Sequence, residues 1–139
     1  MSHVHCNSII EGLSKAIETH STKALFIGVR GNDPEGKSIN FFQHTSEGWP
    51  SAIRIHPLLK WSYNEIWNYI ETLNLPVCKL YERGYTSIGS TLDTSPNPML
   101  KDGKGSYLHA KFLSDEMYER AGRIKGTRAK PPAVNDLKR

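Results

Sequence analysis

The sequence predicts an α/β fold, a partial sheet with flanking helices and an irregular C-terminal region. Three observations lead there. A capped amphipathic helix from Ser8 runs almost at once into the apolar stretch Ala24-Leu25-Phe26-Ile27-Gly28-Val29, and a helix feeding a buried strand is half of an α/β crossover. A second capped helix starts at Ser62. Beyond Val77 the chain is punctuated by Gly84, Gly89, Pro96, Pro98, Gly103 and Gly105, which breaks any regular element.

Each element has a local cause. Ser8-Ile9-Ile10-Glu11 is a capping box, and Ile10, Leu13, Ala16 and Ile17 follow at helical spacing, with the end near His20. Residues 24–29 form a short continuous apolar run, the mark of a strand buried on both faces. From Arg30 to Pro50 the chain is polar, rich in Gly and Pro, and reads as a long loop, a type that is functional or disordered in compact domains. Ile53 to Leu59 is extended, and Pro57 argues for an edge strand or a strand end. Ser62-Tyr63-Asn64-Glu65 is a second capping box, followed by the apolar face Ile66, Trp67, Tyr69, Ile70 and Leu73. Asn74 and Pro76 stop that helix. A last short helix is expected around Ser114–Ala121, and residues 126–139 read as a disordered basic tail. One strong strand without visible partners, and a first helix with almost no chain before it, suggest a truncated domain whose other strands lie elsewhere.

At 139 residues the chain suits one domain, and its composition is that of a soluble globular protein. No apolar run approaches the roughly 20 residues that span a bilayer. The N-terminal Met1-Ser2-His3-Val4-His5-Cys6 lacks the features of a signal peptide. Two cysteines, Cys6 and Cys78, make no disulfide framework. The expected compartment is the cytoplasm, by elimination. The net charge of +4 is unevenly spread: residues 1–119 carry 11 Lys/Arg against 13 Asp/Glu, and residues 120–139 carry 7 against one. A basic tail suits nucleic acid or an acidic partner. With no aromatic residue interleaved, a solvated tail with an anion site at its root is favoured.

Several residues are chemically suggestive. Gly28-Val29-Arg30-Gly31-Asn32-Asp33-Pro34 leaves the carboxyl end of the first strand, where ligands sit in open α/β sheets. Gly28 would admit a ligand close to the backbone, Arg30 offers a forked cation for a phosphate, and Asp33 could accept hydrogen bonds or hold a cation. An Asp-Pro turn with a surface arginine explains the same residues. Trp49 suits stacking on a planar ring or plugging a core, and Arg54 faces either a pocket or solvent. Arg120 and Arg123, three apart, would share a helix face, where repulsion is costly unless an anion lies between them. Asp102-Gly103-Lys104-Gly105-Ser106 lacks the phosphate-loop spacing and reads as a turn. His3, His5 and Cys6 lack a visible fourth ligand, so no metal site is assigned.

Taken in order, Gly28 to Pro34, Gly48-Trp49-Pro50 with Arg54, Pro57-Leu58-Leu59-Lys60-Trp61-Ser62-Tyr63 with Ile66-Trp67, Leu80 to Ser90, Pro96-Asn97-Pro98 and Glu119-Arg120-Ala121-Gly122-Arg123 resemble eukaryotic FAD synthases. The resemblance runs from about Ser8 to Arg123, and residues 8–125 would be the C-terminal part of such a domain. It implies a Rossmann-like, adenine nucleotide α-hydrolase-like sheet, shared with the phosphoadenylylsulfate reductases. Those reductases use a cysteine near the C-terminus; here none follows Cys78, which demotes that chemistry. The implied reaction joins FMN to ATP with Mg²⁺, giving FAD and pyrophosphate. By resemblance, Arg30 and Asp33 border the nucleotide–phosphate junction, Trp49 and Arg54 belong to the flavin site, and Arg120 and Arg123 face the phosphates. Two departures stand out. Gly31 occupies the place of a second arginine, and no Ser-Gly-Gly-Lys-Asp-Ser-type loop is present to cradle ATP. The implied partners are therefore FMN and ATP, with a missing N-terminal half or self-association, and neither a membrane nor nucleic acid.

Overall fold

The computed structural model describes residues 5–124; His3 and the expected basic tail lie outside them. Helix α1 spans Ile9–His20, with Ser8 accepting from the Glu11 amide at 3.1 Å as N-cap. The reciprocal half of the box is displaced by one residue, because Glu11 accepts from the Asn7 amide rather than that of Ser8. Ser21 ends the helix in the left-handed region, at φ 50°, the usual stop for a helix C-terminus.

Three strands follow: β1 (Ala24–Phe26), β2 (Phe42–His44) and β3 (Ile53–Ile55). The sheet order is β1-β3-β2, with β1 parallel and β2 antiparallel to β3. The expected α/β class is the one observed. Two strand assignments change. β1 is not buried on both faces: it is an edge strand, and Phe26 is 78% exposed. Of its three residues only Leu25 is half-buried. The supposed loop from Arg30 to Pro50 contains β2, whose Phe42-Gln43-His44 is too short and polar to stand out. Between the alternatives raised by Pro57, the strand end holds, since β3 is central and stops at Ile55.

Helix α2 covers Tyr63–Thr72. Its capping box is complete: Ser62 donates from both its amide and its hydroxyl to Glu65 Oε2, at 2.7 and 2.8 Å, and accepts from the Glu65 amide at 3.2 Å. These bonds hold the Glu65 carboxyl below its ordinary range, with the Ser62 amide the larger cause. Asn74, at φ 48°, and Pro76 follow the helix end.

The chain divides into two compact units, one up to Glu65 and one from Ile66. In the second, Trp67 meets Tyr81 and His109 edge-on, at centroid distances of 5.3 and 5.1 Å. Burial raises the Tyr81 phenol above its ordinary value. Leu100, Ala110 and Leu113 are buried, and a leucine so placed contributes roughly 1.5–3 kcal/mol. Asp102 accepts from the Lys104 and Ser106 amides at 3.0 and 2.7 Å, so the expected turn forms there. The expected last helix shrinks to a single 3₁₀ turn, Glu116–Tyr118. Cys78 is exposed and free.

Candidate functional site

Strand alternation decides what each face of the sheet carries, because side chains two apart share a face. The register sets Leu25, Arg54 and Gln43 in one row and Phe26, Ile55 and Phe42 in the row on the opposite face. Leu25 and Arg54 belong to the wall of a cavity of about 250 Å³ in the first unit. Leu13 of α1, Ile27, Ile39 and Trp49 add apolar walls, and Glu35, Thr45 and His56 are its other main polar groups.

The turn between β2 and β3 presents Trp49. The Thr45 amide donates to the Ala52 carbonyl at 3.0 Å, its hydroxyl donates to the Pro50 carbonyl at 2.9 Å, and the Trp49 amide donates to the Ser46 carbonyl at 3.1 Å. Gly48 takes φ 81°, a conformation glycine adopts without steric cost. Trp49 keeps 43% of its surface exposed while lining the cavity.

Arg54 and His56 stand two apart along one chain segment and both line the cavity. Arg54 donates through Nη2 to the His44 carbonyl at 3.2 Å, while its Nε is buried with no hydrogen-bond partner. His56 is 1% exposed, with Nδ1 2.8 Å from the Asn40 carbonyl and Nε2 buried without a partner. Buried polar atoms are rarely left unsatisfied. Sequence reasoning named Arg54 and missed His56, although the alternation Ile53-Arg54-Ile55-His56 already set the two on one side.

The segment after β1 is tightly built. The Arg30 amide donates to Asp33 Oδ2 at 2.9 Å, and the Asp33 amide donates back to the Arg30 carbonyl at 3.0 Å. Arg30 is 7% exposed, with its guanidinium 5.8 Å from the Tyr63 ring centroid; the surface arginine weighed from sequence is instead an interior one. Gly31 donates to the Leu59 carbonyl at 2.7 Å, and a Cβ there would stand 3.1 Å from that oxygen. Gly28 is exposed, and a Cβ at it would meet open space.

Arg120 and Arg123 belong to the second unit. They lie on successive turns rather than on one face of an α-helix. Arg120 Nη1 is 3.4 Å from Ser87 Oγ, and Arg123 Nη2 pairs with Asp93 at 3.1 Å. The Thr94 hydroxyl first, then Ser90 and Arg123, hold the Asp93 carboxyl below its ordinary range, against the opposing effect of burial. Asn97, wholly buried, pins the segment that carries both arginines. Its Nδ2 donates to Thr86 Oγ1 and to the Tyr118 carbonyl, each at 2.8 Å, and Thr86 Oγ1 donates to the Glu119 carbonyl at 2.6 Å.

The family model described as the phosphoadenosine phosphosulfate reductase domain matches residues 3–96. The chain belongs to that family. It is similar to the probable FAD synthase of Schizosaccharomyces pombe, 47% identical over 114 residues that make 81% of this chain and 43% of that protein. It is also similar to the flavin adenine dinucleotide synthase of Saccharomyces cerevisiae, 42% identical over 66% of this chain and 30% of the relative. Candida glabrata FMN adenylyltransferase in complex with FMN and the ATP analogue AMPCPP superposes with a TM-score of 0.80 at 28% identity, covering 88% of this chain and 56% of that one. Members named adenosine 5'-phosphosulfate reductase match too, as in Bacillus subtilis at 44% identity over 33% of this chain. The chain thus spans less than half the length of these two FAD synthase relatives and just over half of the solved structure. Among the described residues no helix is long and apolar enough to cross a membrane.

Proposed function

We propose that this chain supplies the flavin-binding part of an FMN adenylyltransferase, which transfers AMP from ATP to FMN to give FAD and pyrophosphate. The observation that carries the reading is the cavity: apolar walls and the half-exposed Trp49 suit a flat ring, and Arg54 and His56 keep buried nitrogens for its polar edge. Similarity to FAD synthases from two yeasts supports the same chemistry.

In the reaction an oxygen of the FMN phosphate attacks the α-phosphorus of ATP. A new P–O–P linkage forms, the bond from the α-phosphorus to the bridging oxygen breaks, and pyrophosphate leaves. Such a transfer depends on positioning and charge neutralisation more than on covalent help from the protein. In this reading Gly28 and Arg30 serve substrate binding, and Asp33, Arg120 and Arg123 serve the phosphates. Magnesium has no dedicated cage among the described residues, where no cluster of three or more His, Cys, Asp or Glu could hold a metal. It enters the proposal as an ion brought in largely by phosphate oxygens, as is usual for this cation. The sequence contains no Ser-Gly-Gly-Lys-Asp-Ser-type loop, so the triphosphate grip comes from another polypeptide segment. The chain alone is at best weakly active, in a cytoplasmic setting.

Titration with FMN and with FAD, followed by flavin fluorescence, tests the proposal. Saturable binding that weakens on Trp49→Ala or Arg54→Ala is the expected result; no flavin binding overturns it. Adding a polypeptide that carries the missing loop should raise FMN-dependent pyrophosphate release, and no gain counts against complementation. A second reading, a non-catalytic flavin module that self-associates, is favoured by the open edge of β1, and light scattering that finds only monomer removes it.

A further inference from the structure

Resting on the flavin reading of the cavity, we infer that Arg54 and His56 together recognise the cyclic imide edge of the flavin ring, with His56 Nε2 accepting from the imide N–H and Arg54 Nε donating to the adjacent carbonyl. The inference starts from the partner of the other histidine nitrogen. His56 Nδ1 lies 2.8 Å from the Asn40 carbonyl oxygen, and a carbonyl only accepts, so Nδ1 carries the hydrogen. In an uncharged imidazole this leaves Nε2 with a free lone pair, as an acceptor. The Asn40 contact is itself held in place, since the Asn40 amide donates to Gln43 Oε1 at 3.3 Å and the His56 amide donates to the Phe41 carbonyl at 2.9 Å. The tautomer is thus built into the backbone around β2.

Arg54 supplies the opposite polarity. Its Nη2 is engaged by the His44 carbonyl, and its Nε keeps a buried hydrogen with no acceptor. One unsatisfied donor and one unsatisfied acceptor, two residues apart on one cavity wall, match a ligand edge that places a carbonyl beside an N–H. The pyrimidinedione part of an isoalloxazine has that edge, and its remaining rings are apolar enough for Leu13, Leu25, Ile27 and Trp49. A fully ionised phosphate offers acceptors only, so it would leave Nε2 of an uncharged His56 unsatisfied.

A flavin methylated at the imide nitrogen gives a test that leaves the protein unaltered. Riboflavin and 3-methylriboflavin are titrated against the full chain, and the methyl group, which removes the donor and fills its space, should weaken binding by about tenfold or more. In His56→Phe riboflavin should lose a similar factor, while 3-methylriboflavin should lose little. Equal affinity of the two flavins for the unaltered chain overturns the assignment while leaving the flavin site intact. Parallel losses for both flavins in His56→Phe also overturn it, since a merely structural histidine would behave so. Binding of adenosine in preference to riboflavin, or of neither flavin, defeats the parent reading of the cavity instead.

Discussion

Arg123 lays its guanidinium against Gly89, on the spot where any larger residue's Cβ would stand, while pairing with Asp93 at 3.1 Å. The obstacle to a side chain at 89 is the far end of a flexible arginine, so Gly89→Ala should displace Arg123 rather than break the fold. The expected stability loss at pH 7 is below about 1 kcal/mol. Crystallography of the variant, or chemical-shift changes at Asp93, would show the pair separated; an intact pair would contradict the account.

The same carboxylate gives a pH dependence. Its folded-state pKa is depressed, so its contribution is present above about pH 4–5 and fades as pH falls through the lower folded value. Urea midpoints measured from pH 6 down to pH 2 should fall less steeply in Asp93→Asn than in the parent chain. Identical slopes would mean that Thr94, Ser90 and Arg123 do not stabilise the charged form.

Asn97→Ala removes both donors that tie Thr86 Oγ1 and the Tyr118 carbonyl, and the acceptor for the Met99 amide. With the site fully buried, a loss of about 3 kcal/mol is expected in chemical denaturation. Hydrogen exchange should quicken in the 116–123 segment beyond the global change, because its anchor has gone.

Gly36→Ala should be costly for a different reason. A Cβ at 36 would collide with the backbone carbonyl oxygens of Arg30 and Gly31, which cannot swing aside. About 2 kcal/mol or more of destabilisation is expected. Flavin affinity should fall with it, since Val29 and Glu35 on either side of that segment line the cavity. A variant of unchanged stability would show that the segment rearranges freely.

Phe26→Lys tests the exposed face of β1. The phenyl ring is 78% exposed, so thermal denaturation of the chain should change by less than about 0.5 kcal/mol. Any self-association seen by light scattering should diminish, since edge lysines discourage strand pairing. A stability loss above about 1 kcal/mol would place Phe26 in a core.

Much of this was legible from local chemistry. Ser8, Ser62 and Glu65 announce their helices because capping needs only neighbouring residues, and Asp102 declares its turn for the same reason. Residues 24–29 misled because an apolar run records what a strand is suited to meet, and β1 meets little here. The three-residue β2 escaped notice because its pairing with β3 is set by distant residues and not by its own composition. For the site, Trp49 stood out as a residue type that suits a planar ring, whereas Arg54 fitted a pocket or solvent alike and drew its flavin assignment from the resemblance alone. His56 needed the structure, since only the Asn40 carbonyl reveals which of its nitrogens is spoken for.

Strand β3 has one further consequence. The segment from Ile53 to His56 turns Arg54 and His56 to the cavity and Ile53 and Ile55 away from it, with a period of two residues. Adding or deleting a single residue between Pro50 and Ile53, in phase with the strand, would exchange the wet side for the greasy side along its whole length. Two-residue changes would restore the pattern. In lineages of this protein, length variation at this junction should therefore come in even steps or be absorbed in the bend around Gly48, where the parity of the strand is not at stake.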